Sequence, residues 1–419
     1  MAQSGLQLPP EVWNYVFSFL SVSDKFSART TCKYFKKLID HWSLWKDWSV
    51  VLSFRNGTYN DCFWATLRRR KVTSVVMRSS VAAHWTQLSQ ALPGVSTVVL
   101  EEETLENALC SLQRLPHVKR LAVRSNFLWC NTNLGAFALQ LTHLSLCGVR
   151  VSAKDAMAAL TQFTNLTSLD CHLEPNGIQT FHFQAVFDSL PKLKSLSLCC
   201  KKSLFGYQRF EAGCRAAALS SLELINCICN TFPLNIMRPL PRLRSLSVYH
   251  GTPPTRMRDV LPSDDYLRLW LCDLPQLSSL VIFKGPAVNV YASSIPTTVT
   301  SLTLRVPGLS AGDMAAVAAQ VPDLLHLHID PWPSHLGAHT SKIPKLFPKL
   351  RSLKVRLQHV PEEDFLQLRK LEDLQHLEVL DSCPDVCHLI GKLRQITKNR
   401  FHISTSPIPR DVLCCDCTQ

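Results

Sequence analysis

The sequence predicts an α/β solenoid, a curved stack of about 13 strand-helix repeats preceded by a small three-helix domain. Three observations carry that reading. A short hydrophobic ladder returns thirteen times, the residues between ladders have helical spacing, and residues 8–48 do not fit the ladder. The clearest copies read Leu190-Pro-Lys-Leu-Lys-Ser-Leu196-Ser-Leu198, Leu240-Pro-Arg-Leu-Arg-Ser-Leu246-Ser-Val248 and Phe347-Pro-Lys-Leu-Arg-Ser-Leu353-Lys-Val355. With the first paired core residue as marker, copies fall at Val75, Val98, Leu121, Leu144, Leu169, Leu196, Leu222, Leu246, Leu280, Leu302, Leu327, Leu353 and Leu377. Successive markers lie 22 to 27 residues apart, with one longer interval of 34 between Leu246 and Leu280.

The N-terminal segment comes first in the chain. It reads Leu8-Pro-Pro-Glu11-Val-Trp-Asn-Tyr-Val16-Phe-Ser-Phe19-Leu20-Ser-Val-Ser-Asp24, then Lys25-Phe-Ser-Ala28-Arg-Thr-Thr-Cys32-Lys-Tyr-Phe35-Lys-Lys-Leu38-Ile39. Pro10 suits a first helical turn, and Val12, Val16 and Phe19 or Leu20 make one apolar face. Ser23 or Asp24 is expected to cap a second helix, in which Ala28, Cys32, Phe35 and Ile39 share a stripe. A third short element carries Trp42, Trp45 and Trp48. About 40 residues cannot bury so many large side chains alone, so some of this surface must meet a partner or the first repeat.

These residues resemble an F-box: Leu-Pro, then Glu, a Val-Phe-Ser-x-Leu run, an Asp, a Cys, an aromatic and a late Ser43-Leu-Trp45. The resemblance implies docking to the Skp adaptor of a cullin-RING ubiquitin ligase. Carried over by position, it implies that Leu8, Pro9, Val16, Phe17, Leu20, Cys32 and Phe35 face the adaptor, and that Trp45 joins the domain to the repeats. Thr31 stands where the family has an aliphatic residue and Phe35 where Trp is commoner, departures expected to weaken the adaptor's affinity. A helical cap on the solenoid is the competing reading.

Within each ladder the alternation is strict for about four residues, which is strand period. Leu196 and Leu198 point inward while Ser197 and Cys199 point out. Between ladders lie segments such as Ala153–Leu160 and Ala311–Ala319, and a Pro often stops the helix, as in Leu115-Pro116, Leu274-Pro275 and Val321-Pro322. This L-x-x-L-x-L unit resembles the leucine-rich repeat, so the whole chain resembles the F-box/leucine-rich-repeat family, whose repeats form a horseshoe. Thirteen strands would give a concave arc of roughly 60 Å, sized for a macromolecule. The expected boundaries are an F-box at 1–48 (core 8–45), a linker helix or first cap at 49–70, the array at 71–400 and a Cys-containing tail at 401–419.

The outward residues form the candidate binding face, notably Arg124, Asp170, His172, Tyr249, Phe283, Arg305, His328, Asp330, Lys354 and Arg356. Central aromatics within a polar rim suit a protein target. The segments 251–259, 285–296 and 331–344 are rich in loop formers.

Catalytic and metal motifs are not found. Cys383-Pro-Asp-Val-Cys387-His388 and Cys414-Cys-Asp-Cys417 lack paired half-sites at finger spacing. No phosphate-cradling glycine loop, nucleophile elbow or zincin His pair occurs. No catalytic residue, metal or cofactor is expected, and the chain reads as a non-enzyme.

Lys and Arg number 45 against 32 Asp and Glu, a formal charge of +13. The excess is spread along the chain without aromatic interleaving, which disfavours a nucleic-acid partner and favours steering of acidic proteins. Seventeen cysteines, several at ladder positions, together with no charged-then-apolar leader and no membrane-length apolar run, imply a reducing cytoplasmic or nuclear setting. In that setting Asn56 and Asn165 would not be glycosylated, and Asn165 belongs to a turn.

The expected function is that of a substrate-recognition subunit, with the F-box on the Skp adaptor and the repeat face on a protein target. A scaffold or inhibitor unconnected to ubiquitination, and a basic nucleic-acid-binding array, are the rival readings.

Overall fold

A computed structural model describes residues 8–46, 48–55, 57–101, 111–124, 128–129, 135–151, 160–172, 183–199, 218–227, 237–251, 266–331, 336–356, 359–381 and 384–406. The chain forms two compact units, Met1–Leu128 with Thr132–Val149, and Trp129–Asn131 with Arg150–Gln419.

The first unit opens with three helices, α1 (Pro10–Ser18), α2 (Val22–Thr31) and α3 (Lys33–Ile39), and a 3-10 turn over Trp42–Leu44. Pro10 occupies the first turn of α1 as expected. The cap of α2 is Ser21, whose Oγ accepts from the Asp24 backbone N–H at 3.1 Å, and not Ser23 or Asp24. The expected single helix through Ala28, Cys32, Phe35 and Ile39 is broken at Cys32, which is extended (φ −156°, ψ 163°) and caps α3. Two threonines precede that break, and β-branched side chains prolong a helix poorly.

Five parallel strands follow in this unit: Ser49–Leu52, Ser74–Met77, Thr97–Leu100, Arg120–Arg124 and His143–Cys147. They pair in a strict register in which Val50, Val75, Val98, Leu121 and Leu144 are direct neighbours. The second unit has ten: Ser168–His172, Ser195–Cys199, Ser221–Cys227, Ser245–His250, Ser279–Phe283, Ser301–Arg305, His326–Ile329, Ser352–Val355, His376–Leu380 and His402–Ser406. The same ladder runs from Leu169 through Leu196, Leu222, Leu246, Leu280, Leu302, Leu327, Leu353 and Leu377 to Ile403.

All thirteen markers thus lie in strands and are buried, giving the α/β solenoid architecture in each unit. Two strands exceed the expected count. Ser49–Leu52 falls in the segment expected to be a linker or cap, and His402–Ser406 in the expected tail. Both lack the full ladder leader, as terminal repeats do.

Register is held by backbone pairs at the strand entries. The carbonyl of Lys194 accepts from the N–H groups of Ser220 and Ser221 at 2.8 and 2.9 Å, and that of Arg244 from Ser278 and Ser279 at 2.8 and 2.9 Å. Many of the described connections between strands contain a helix, whereas residues 218–220 and 237–244 are turn and coil. Ala311–Gln320 starts from a capping box of Ser310 and Asp313. The expected loop 285–296 instead contains a helix, Val288–Tyr291, and a 3-10 turn, Ala292–Ser294. In 331–344 the described part is likewise helical, Gly337–Lys342 and Ile343–Leu346. Burial of Val288, Tyr291, Leu336 and Ile343 overrides the local loop-forming residues there. The insertion after Gly251, most of the 153–160 helix, Cys383, and Cys414 to Cys417 lie outside the described residues.

Candidate functional site

The N-terminal helices close around a small aromatic core. Phe17, Leu38, Ile39 and Trp45 are buried, with Trp13, Leu20, Ala28, Tyr34, Phe35, Leu44 and Trp48 packed against them. The rings of Trp13 and Phe17 stack with centroids 5.5 Å apart, and both meet Phe35, at 4.6 and 5.1 Å. Helix α1 therefore spends one apolar side, Trp13 and Phe17, on the interior. At about 100° per residue a second side holds Val12, Tyr15 and Val16 and runs on to the cap residue Phe19. This side stays in solvent: Tyr15 is 67% and Phe19 72% exposed, their rings edge-on at 4.9 Å. Among the described residues thirteen large hydrophobic side chains are exposed, and eight of them lie between Leu8 and Trp42. The uncovered apolar surface is thus concentrated on the small domain.

The seven residues expected to face an adaptor are not all at the surface. Leu8, Pro9, Val16 and Cys32 are exposed, and Leu20 and Phe35 are half-buried. Phe17 is corrected: it is 3% exposed because α1 turns it onto Leu38 and Phe35. Tyr15 and Phe19 are exposed apolar neighbours that the family comparison did not bring forward; their i, i+4 spacing on α1 was the available signal.

An ionic hub ties the domain to the first repeat. Asp40, at the end of α3, takes two bonds from Arg29 at 2.9 and 3.0 Å, one from Arg70 at 2.9 Å and one from Arg69 at 3.1 Å. Arg69 and Arg70 end the helix Asp61–Arg69, which follows the first strand. Burial pushes the Asp40 carboxyl up, but hydrogen bonds from Arg29 and Arg70 outweigh it and hold the group below its ordinary value. Burial, the larger effect on Arg70, lowers its guanidinium's pKa. Trp45, expected to join domain and repeats, does so through Arg70, which lies over its ring.

The outward strand face of the first unit carries a small charge ladder. Glu101 lies between Arg78, at 2.8 Å, and Arg124, at 3.6 Å. In the second unit the outward face begins with Asp170 and His172 on one strand. His172 Nε2 and Ser197 Oγ are 2.8 Å apart, and Ser197 Oγ donates to Glu223 Oε2 at 2.6 Å. His172 is therefore the donor to Ser197. The Glu223 carboxylate accepts from the serine.

Further along, Tyr249 and Phe283 have ring centroids 5.9 Å apart, and the Arg305 guanidinium lies 4.6 Å over Phe283. Arg305 and Arg356 clasp Asp330 at 2.9 and 2.7 Å. His328 sits beside this group; burial first, then Lys354 and Arg305 against Asp330 and Glu378, take its pKa down to about 4. Lys354 pairs with Glu378 at 2.8 Å.

Outward parity is right for this face, but exposure is not uniform. His172, Phe283, Asp330 and Arg356 are buried, because neighbours on adjacent strands cover them. Tyr249, Arg305, His328 and Lys354 remain half-buried, as do Arg124 and Asp170. Asn165 accepts a hydrogen bond from Lys192 at 2.6 Å, consistent with its place in a turn. Among the described residues no group of three or more His, Cys, Asp or Glu side chains is placed to hold a metal ion, and no helix is long and apolar enough to cross a membrane.

Comparison with known proteins bears on the small domain. Residues 6–49 match the F-box-like family model. No curated protein matches the chain. Among solved structures the chain is similar to an internalin from Listeria monocytogenes, at 14% identity and a TM-score of 0.40, over 77% of this chain and 83% of that one. It is also similar to a chain in the crystal structure of a TLR13–ssRNA13 complex, at 14% identity and a TM-score of 0.40, over 85% of this chain and 61% of that one. Residues 6–49 are thus an F-box-like domain, and strand-helix repeats in register follow it.

Proposed function

We propose that the chain is the substrate-recognition subunit of an SCF-type (Skp–cullin–F-box) ubiquitin ligase. The observation that carries this reading is the exposed apolar side of an F-box-like domain, Leu8, Val12, Tyr15, Val16 and Phe19, which no other described residue covers. Burying such side chains against a Skp-family adaptor gives about 25 cal/mol for each Å² of apolar surface removed from water. Leu8, Pro9, Val16, Leu20, Cys32 and Phe35 form the docking surface, with Phe17 supporting it from beneath. The outward strand faces of the two units, with Arg124 in the first and Asp170, His172, Tyr249, Phe283, Arg305, His328, Asp330, Lys354 and Arg356 in the second, are the candidate surfaces for a protein target.

In this reading the protein makes and breaks no bond. It holds target lysines close to the ubiquitin-loaded conjugating enzyme and so raises their effective concentration. The setting is cytoplasmic or nuclear. The test is co-precipitation with a Skp-family adaptor and cullin, using the full chain and a Val16→Asp/Phe19→Asp variant. Both substituted positions are exposed, so the fold is expected to persist while adaptor capture is lost. Failure of the unsubstituted chain to capture any Skp-family adaptor sinks the reading and leaves a repeat scaffold. Mass spectrometry of partners retained without residues 1–48 then identifies the target.

A further inference from the structure

The same small domain carries a second feature that the exposed side of α1 does not explain. A cavity of about 480 Å³ opens beside α3, lined by Lys33, Lys36, Lys37, Asp40, His41, Trp42 and Arg69. Its one carboxylate, Asp40, is already taken by Arg29, Arg69 and Arg70. Lys33, Lys36 and Lys37 are exposed and enter no ion pair among the described residues. The Arg69 side chain is more than half exposed, and one bond to Asp40 leaves most of its donors free. On the wall stands Trp42, 41% exposed, with Lys71 5.0 Å over its ring. An exposed indole ringed by uncompensated cations is costly to leave in water and gains from a ligand that is both acidic and partly apolar.

We propose that this cavity is a docking site for an extended acidic peptide segment of a partner protein. Spacing and charge favour that occupant. Lys33 and Lys37 lie one helical turn apart, about 6 Å along α3, and alternate side chains of an extended peptide lie about 6.6 Å apart. Two acidic residues at i and i+2 therefore match two lysines, with Lys36 and Arg69 flanking them. Trp42 offers apolar area to the rest of the segment. This inference stands apart from adaptor docking and does not depend on it.

The test is fluorescence anisotropy with the full chain and a labelled peptide, Gly-Glu-Val-Glu-Val-Glu-Gly, against its glutamine counterpart. The acidic peptide is expected to bind at 50 mM salt and to weaken about tenfold at 0.5 M, as screened surface pairs do. The Lys33→Gln/Lys36→Gln/Lys37→Gln variant is expected to bind about tenfold more weakly, since each exposed pair contributes modestly. Its thermal melting by circular dichroism is expected to be unchanged, which separates lost binding from lost fold. Equal binding of both peptides, or equal binding by the variant, overturns the proposal. So does displacement of the peptide by inorganic pyrophosphate at lower concentration than by unlabelled peptide, which would make the cavity a phosphate site.

Discussion

Arg70 lies over Trp45, its guanidinium carbon 3.9 Å from the ring centroid, while one of its nitrogens bonds Asp40 at 2.9 Å. One side chain from the first repeat thus closes both the aromatic core and the ionic end of the F-box-like domain. Replacing it leaves Asp40 with Arg29 and Arg69 but removes the buried donor and uncovers the indole. Arg70→Ala is expected to cost about 3 kcal/mol, the lower end for breaking a buried pair. Arg70→Lys is expected to recover only part of that, because an ammonium does not reproduce the guanidinium's contact over the Trp45 ring. Urea unfolding followed by tryptophan fluorescence measures both; equal stability of all three proteins would show that the hub is decorative.

The hub also sets a pH dependence. The Asp40 carboxyl is held below its ordinary value near 3.8, so its contribution is fully present above that value and is lost as pH falls through the lower folded value. The loss is expected only in acid, and Asp40→Asn is expected to remove it.

In the second unit Asp330 plays the corresponding part. Its side chain is fully buried, and Arg305 and Arg356 reach it at 2.9 and 2.7 Å with little exposure of their own. Asp330→Asn would leave the buried Arg356 and the half-buried Arg305 guanidiniums without a counter-charge. A loss of about 3–5 kcal/mol is expected, larger than that for Arg305→Ala, which leaves the carboxylate one partner. Chemical denaturation of the two variants decides the order.

Two histidines give the second unit a separate response. His250 bonds the Phe283 carbonyl at 3.0 Å through Nδ1 and the Tyr266 hydroxyl through Nε2. Burial takes it down to about 4, against a smaller opposite effect of the Phe283 bond, and His328 is also held at about 4. Both are therefore neutral when folded, while the unfolded chain takes up protons below about 6.5. Stability is expected to fall as pH drops from 6.5 towards 4, by on the order of 2 kcal/mol per histidine at pH 5. His328→Gln should make that slope shallower. A flat stability profile between pH 7 and 5 would contradict the desolvation of the two rings.

The ladder was legible because it is local: two inward residues in four, a repeated Ser before the marker, and a Pro ahead of it specify a strand without reference to distant residues. Ser49–Leu52 and His402–Ser406 escaped because their leaders are degenerate and only pairing with Ser74–Met77 and His376–Leu380 reveals them. Exposure on the outward face was not legible from alternation. Phe283 is covered by Arg305 from the next strand, and Asp330 by residues on both sides. In the F-box-like domain the family resemblance named positions but not their sides: Phe17 points in, whereas Phe19 is left in solvent.

Cysteine reactivity follows from the same in-and-out pattern. Cys171 is buried on its strand; desolvation first, with the nearby Asp170 and Cys199, pushes its thiol up to about 12. Cys147 and Cys199 are also buried, while Cys32, Cys62, Cys272 and Cys387 are exposed. Because the thiolate is the nucleophile, iodoacetamide at neutral pH is expected to label those four in the native protein and to reach Cys147, Cys171 and Cys199 only after denaturation. Peptide mass mapping of native and denatured samples reads this directly. Rapid native labelling of Cys171 would mean that the strand Ser168–His172 opens far more often than a buried ladder position allows.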